Sequence, residues 1–542
     1  MRFLRSYPQP ILFGDPGAYH RVGMELREAI SEWSGGGSFR DAYESFRPYL
    51  YLVGTGAIYA SVDSVRGAIR SLFEHAGFSG QPDALRPLPF FRMVWALINT
   101  LGMLGSFHLA RRLSSSFAGG CLALAAAAVY PSFSTQSGRL FPDPVFSTLF
   151  VWSGYCFVRA IQASSIPWMV GAGLLLSAGF FARAQFMNYF AILIGLVMVL
   201  SAGFWIRDSR ARRMALAFIL AALPSILLWR GIVRGVGDDL REIEQLGFFA
   251  FPQQQQYPYG FWMFLDSDGW VGPYQLKEYP FYEAMIADRD RNPGILGDRK
   301  RQLAFTWRYV SSRFGESCLL VLDNVYRLFD RPANDYQWDY PFAIRYQVLL
   351  QRILVVLAVA GVAAFTIERL PLALVAFVPA VLCGVYGLST PKPRYGQPAM
   401  FLFIALAGAL VAALFARRRE ILEGLRRRPI TSGAVLLGGA ALLLLGLVLR
   451  DPFPEAARIL RGASTLALLA VPFLLVRLAF AKRPLDGLLV AGAWASVALV
   501  TAAHLIRDPS WHETELALGA QTIGVEQEIL QSSGAWNRLK AA

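Results

Sequence analysis

PAMFLFIALAGALVAALFA, residues 398–416, carries no charge along nineteen positions and is held between STPKPRYGQ (389–397) and RRRE (417–420). A run of about 20 apolar residues is what an α-helix needs to cross a hydrocarbon core of about 30 Å. Runs of the same kind recur on both sides. Before it they fall at roughly 90–110, 115–131, 142–162, 166–182, 185–206, 214–232, 348–366 and 370–388, and after it at 430–450, 458–480 and 485–506. The sequence therefore predicts an all-α polytopic membrane protein of about twelve spans. Composition agrees, because 55% of the 542 residues are hydrophobic and only 17% are charged, far from the balance of a soluble chain.

The net charge of +14 raises the question of nucleic acid, and its distribution answers it. One set of alternate connections, 110–114, 159–164, 206–214, 367–370, 416–429 and 477–486, holds 17 Lys/Arg against 5 Asp/Glu. Such clustering at alternate span ends is the positive-inside pattern, so this set is expected in the cytoplasm and no nucleic-acid partner is implied. The opposite set then lies outside. It comprises residues 1–89, the turn before Asp143, the turn at Arg183, a long loop at 233–347 and the turn around Arg394, with a tail at 507–542. Two blocks of spans, 90–232 and 348–506, flank the loop. Export of residues 1–89 requires a preceding signal, and 1–14 lack the apolar core of a signal peptide. A further span upstream of residue 1 is therefore expected.

Chemistry is sought on the outer set. ILFGDPGAYHRVGMELREAI, residues 11–30, holds Asp15 between Gly14 and Pro16-Gly17, ahead of an amphipathic run suited to a helix lying along the interface. FRPYLYLVGTGAIYASV (46–62) reads as a second interfacial helix. Asp143, in SGRLFPDPVFSTLF, opens a span on the same side. Each acid precedes a proline, which is also how many helices start, so capping is the alternative to catalysis for both. Acids near the bilayer are costly and tend to mark function. Arg183, Lys392 and Arg394 are outer cations, of a type that pairs with phosphate. Snorkelling toward headgroups is the alternative for Arg183.

Of the four cysteines, Cys121, Cys156 and Cys383 lie in apolar runs and only Cys318 in the long loop, so no disulfide framework is implied. The five histidines lack metal-ligand spacing, and Asp266 with Asp268 in LDSDGW reads as a polar turn. No metal, no cofactor and no nucleotide-binding glycine loop is assigned.

Four segments, taken in order, resemble the GT-C superfamily of membrane glycosyltransferases, in particular its protein mannosyltransferase and aminoarabinose transferase-like branch. They are GDPGAYHRVGMEL, FRPYLYLVGTGAIY, LARRLSSSFAGGCLALAAAAVYPSFSTQSGRLFPDPVF and PRYGQPAMFLFIALAG. The resemblance covers roughly residues 12–415. It implies a bundle with outer juxtamembrane helices and one large outer loop. It also implies Asp15 as catalytic base, Asp143 as the second acid, and Arg394 and Tyr395, with Lys392 and Arg183, around a lipid phosphate. Many members pair two acids in the first outer loop, whereas here Pro16 follows Asp15. The expected reaction moves a sugar, with inversion, from a polyprenyl-phosphate donor to a hydroxyl of a protein, lipid or glycan acceptor, at the outer face of a bacterial inner membrane. The rival expectation is a flippase or transporter of a lipid-linked sugar, which would show charged or helix-breaking residues near mid-span. A glycan polymerase or ligase is a third.

Overall fold

The computed structural model describes residues 23–28, 31, 35–36, 53–78, 80, 82–130, 132–133, 143–182, 209–236, 311–312, 314–329, 344–368, 396–427, 441–442, 445 and 454–507. Among these residues the structure is helical, with no strand. In chain order the principal helices are α1 (Val53–His75), α2 (Pro87–Ser114), α3 (Phe117–Val129), α4 (Asp143–Ala163), α5 (Ile166–Ala182), α6 (Ser209–Val236), α7 (Phe314–Phe329), α8 (Ile344–Glu368), α9 (Met400–Ala416), α10 (Arg418–Arg427), α11 (Pro454–Phe480) and α12 (Pro484–Arg507). Six of them, α2, α4, α8, α9, α11 and α12, contain stretches long and apolar enough to cross a membrane. The chain is a multi-pass membrane protein.

Nine of the twelve expected spans have a described helix at their position. The expected spans at 185–206 and 370–388 lie outside the described residues, as does all of 430–450 except 441–442 and 445. One element departs from expectation. The second interfacial helix runs to His75, well past residue 62. Helix α3 stops at Val129, because Tyr130 turns to extended geometry (φ −76°, ψ 119°). That turn carries Tyr130 and Phe133 inward, where Phe133 stacks on Phe401 with ring centroids 3.8 Å apart.

Contacts between helices fix the relative directions of α2, α3, α4, α5, α8 and α9. Thr148 Oγ1 donates to the Ile98 carbonyl at 2.9 Å and Trp152 Nε1 to that of Leu101 at 2.9 Å, so α2 and α4 run parallel. Ser153 Oγ reaches the Ala172 carbonyl at 2.7 Å while Phe146 lies beside Gly179, so α5 returns antiparallel. Helix α8 runs with α9, because Gln351 meets Met400 and Gly361 meets Leu406. Helix α3 runs against α9, with Ala123 at Gly408.

The consequence is two unlike ends. At one end Arg112 bonds Gln162, Arg210 Nε bonds the Ser164 carbonyl at 3.1 Å, and an Arg417 amino group bonds the Ala479 carbonyl at 2.9 Å. The connections that the sequence reading grouped by charge thus meet in space. We call this the basic end and its opposite the far end. Turns at the basic end are tight. Ser164 takes a left-handed φ of 48°, which lets the Ser165 N–H reach the Ala160 carbonyl at 2.9 Å and the Ser164 N–H reach that of Ile161 at 3.2 Å. This pair closes α4 as a Schellman cap.

Helix α9 is the centre of the bundle. Residues 396–410 are buried without a break. In lipid, hydrocarbon solvates exposed leucines as well as another helix does, so helices associate through close packing at small residues. Gly408 is such a point: a Cβ there would lie 2.7 Å from the Ala123 backbone nitrogen. Gly102 has Phe401 and Thr148 against it. At Gly408 two helix backbones touch, and at Gly102 side chains of two neighbouring helices fill the space a Cβ would take.

Candidate functional site

Asp143 is the only sequence-predicted site residue among those described; Asp15, Arg183, Lys392, Arg394 and Tyr395 lie outside them. Asp143 opens α4 and is 1% exposed. Its carboxylate in the first helical turn is favoured by the unbonded N–H groups and partial positive charge there. Its own carbonyl accepts a hydrogen bond from Ser147 Oγ at 2.6 Å.

The surroundings of Asp143 are built from four other parts of the chain. Helix α4 packs against the turn Gln397–Ala399. Thr148 and Phe401 both meet Gly102, which sets this turn level with the first turns of α4. Gln397 is 1% exposed, and in sequence it stands three residues after Arg394. Helix α5 ends at Ala182, one residue before Arg183, with its Gly179 against Phe146 of α4. Gly396 abuts the carbonyl of Leu328, which brings the end of α7 to the same place, and Phe329 meets Phe403 with ring centroids 5.2 Å apart. The described flanks of Arg183 and of Lys392–Tyr395 thus converge on Asp143 at the far end.

The first segment joins them. Residues 23–28, which begin eight positions after Asp15, are helical, and Gly23 lies against Tyr59 of α1. Tyr59 meets Trp95 at 5.0 Å and Phe91 at 5.3 Å between ring centroids, and Val145 of α4 packs on this aromatic cluster. Arg27 pairs with Asp63 of α1, and Arg66 Nε donates to the same carboxylate at 2.8 Å. Asp63 is 3% exposed, so two guanidinium partners answer the cost of burying its charge. Its work is to fasten the amphipathic segment to α1.

Sequence reasoning missed several buried polar groups inside the bundle. Asn99 Nδ2 donates to the Phe133 carbonyl at 2.7 Å, and Tyr130 donates its hydroxyl to Gln351 Oε1 at 2.7 Å. Gln351 Nε2 in turn faces Met400 Sδ at 3.4 Å. Gln347 precedes Gln351 by one helical turn and is also buried. A signal was present, namely single amides inside apolar runs, where burial is costly without a partner.

Among the described residues no three His, Cys, Asp or Glu side chains group as they would around a metal ion. Among the described residues the arrangement brings together one buried carboxylate at a helix start and the Gln397–Ala399 turn, which in sequence follows Lys392 and Arg394. No protein-family profile and no curated protein matches this chain.

Proposed function

We propose that this chain is a GT-C-type glycosyltransferase that moves a sugar from a polyprenyl-phosphate donor to an acceptor hydroxyl. In this reading the bundle has about twelve spans, the basic end faces the cytoplasm of a bacterium, and the far end works at the outer face of its inner membrane. One observation carries the proposal. Asp143 and the described flanks of the other five predicted residues gather at the end opposite Arg112, Arg210 and Arg417. The order of the four resembling segments supports it independently.

In this mechanism Asp15 takes the proton of the acceptor hydroxyl while its oxygen attacks the anomeric carbon. The new C–O bond forms as the bond from that carbon to the phosphate oxygen breaks, and the electron pair leaves with the polyprenyl phosphate. Attack opposite the leaving group inverts the anomeric centre. Proton transfer of this kind contributes about 10²–10⁴-fold. Arg183, Lys392 and Arg394, with Tyr395, hold the charge that develops on the phosphate, which a preorganised site stabilises more strongly than water does. Asp143 is the second acid, fixed by α4 beside the Gln397–Ala399 turn.

The test uses the full chain in liposomes with labelled polyprenyl-phosphate sugars and an envelope extract as acceptor. The expected products are a glycosylated acceptor of inverted configuration and free polyprenyl phosphate. Movement of intact donor across the bilayer, with no loss of sugar, would instead make the protein a transporter.

A further inference from the structure

We infer a second lipid site at the basic end, in a groove of about 950 Å³ between α2 and α4, that holds the phosphate of an anionic glycerophospholipid. His108, Arg111 and Arg112 of α2 face Tyr155, Arg159 and Gln162 of α4 across it. No carboxylate lines this groove among the described residues. The inference stands apart from the proposed transfer reaction, whose residues belong to the far end.

Positive charge alone would follow from topology, and three features go beyond it. Arg159 has its Nε buried without an acceptor among the described residues, while its guanidinium carbon lies 5.2 Å from the Trp168 ring centroid. A buried cationic donor left unmatched is costly, and a phosphate oxygen is the acceptor that suits it. Arg112 is oriented by its bond to Gln162, and Arg111 rests 5.9 Å from the Phe117 ring centroid, so each cation is held in place.

The third feature identifies the source of the phosphate. Leu97, Leu101, Leu104, His108 and Arg111 follow one another at helical spacing along one face of α2, and the three leucines are exposed. The basic groove therefore continues into an apolar stripe. From Leu97 to His108 the helix rises about 16 Å, close to half of a hydrocarbon core about 30 Å thick. A soluble phosphate would use the head of this groove and leave the stripe idle, whereas a phospholipid uses both. Basic pockets between spans on the cytoplasmic side are suited to such headgroups.

Native mass spectrometry of the detergent-purified full chain tests this, with dioleoyl-phosphatidylglycerol, dioleoyl-phosphatidylcholine and inorganic phosphate as probes. One phosphatidylglycerol should bind per chain, preferred about tenfold or more over phosphatidylcholine, equivalent to about 1.4 kcal/mol. The triple substitution Arg111→Gln, Arg112→Gln, Arg159→Gln should remove that preference. Arg426→Gln with Arg427→Gln, on exposed arginines of α10 at the same end, should keep it. Equal binding of the two lipids by the unsubstituted protein overturns the site, whether or not the triple variant folds. So does an equal loss in the α10 control, which would reduce the effect to general charge. Displacement of phosphatidylglycerol by inorganic phosphate at millimolar concentration would make it a site for a soluble anion.

Discussion

Asp143 is both a helix start and a candidate acid, and one pair of substitutions separates the two roles. Asn caps a helix about as well as Asp, whereas Ala costs about 1 kcal/mol. Asp143→Asn keeps the capping oxygen and loses only the charge's attraction to the helix start, about 0.3–1 kcal/mol, so it should lower the thermal midpoint in detergent slightly and transfer sharply, while Asp143→Ala lowers the midpoint further. Full transfer by the Asn variant would leave Asp143 a cap. Asp143 was legible because Asp-Pro after an aromatic turn is a local signal. Asp63 was not, since Arg27, one of its two partners, stands 36 residues away in the chain. The pairing of Gln351 with Tyr130 was equally hidden, as it arises only when α8 meets the end of α3. Gln351→Leu should leave a buried Tyr130 hydroxyl without its acceptor and cost about 1–3 kcal/mol, read as a lower unfolding midpoint.

At the scale of helices, the apolar runs announced most elements, because length and hydropathy are properties of the run itself. Their contacts were not announced. Nothing in GALVAALFA distinguishes Gly408 from Gly487, yet a Cβ at Gly408 would meet the α3 backbone and one at Gly487 would meet nothing within 4 Å. Gly408→Leu should force α3 away from α9 and destabilise the bundle by about 1–3 kcal/mol or more, while Gly487→Leu should not. Comparing their melting midpoints decides the matter, and equal midpoints would contradict the packing described. The contact that follows α3 was also hidden, because Phe133 stacks on Phe401, a residue of a distant span.

For the whole molecule, sidedness was the most legible property. Charge asymmetry sorted the connections into two sets, and the described connections of the basic set meet at one end of the bundle. The assignment of that end to the cytoplasm has a direct check. Cys318 is exposed on α7, whose end lies at the far end beside Gly396. In cells carrying the chain with the other three cysteines replaced by Ala, a membrane-impermeant maleimide should label Cys318 without lysis. A Cys introduced at Arg426, in a chain lacking Cys318, should react only after lysis. The reverse pattern would invert the topology and with it the proposed site of transfer. What the chain could not disclose locally is which far-end segments meet, because residues 23–28, α4, the end of α5, the end of α7 and the Gln397–Ala399 turn lie far apart in sequence.

The central claim is an Asp15-dependent transfer of sugar. It is tested most directly by single-turnover transfer from a radiolabelled polyprenyl-phosphate sugar, comparing the unsubstituted chain with Asp15→Asn at equal protein level and equal melting midpoint. The account predicts a fall of about 10²–10⁴-fold in rate, the share expected of a general base. Transfer that survives the substitution unchanged would contradict it and remove Asp15 as the base.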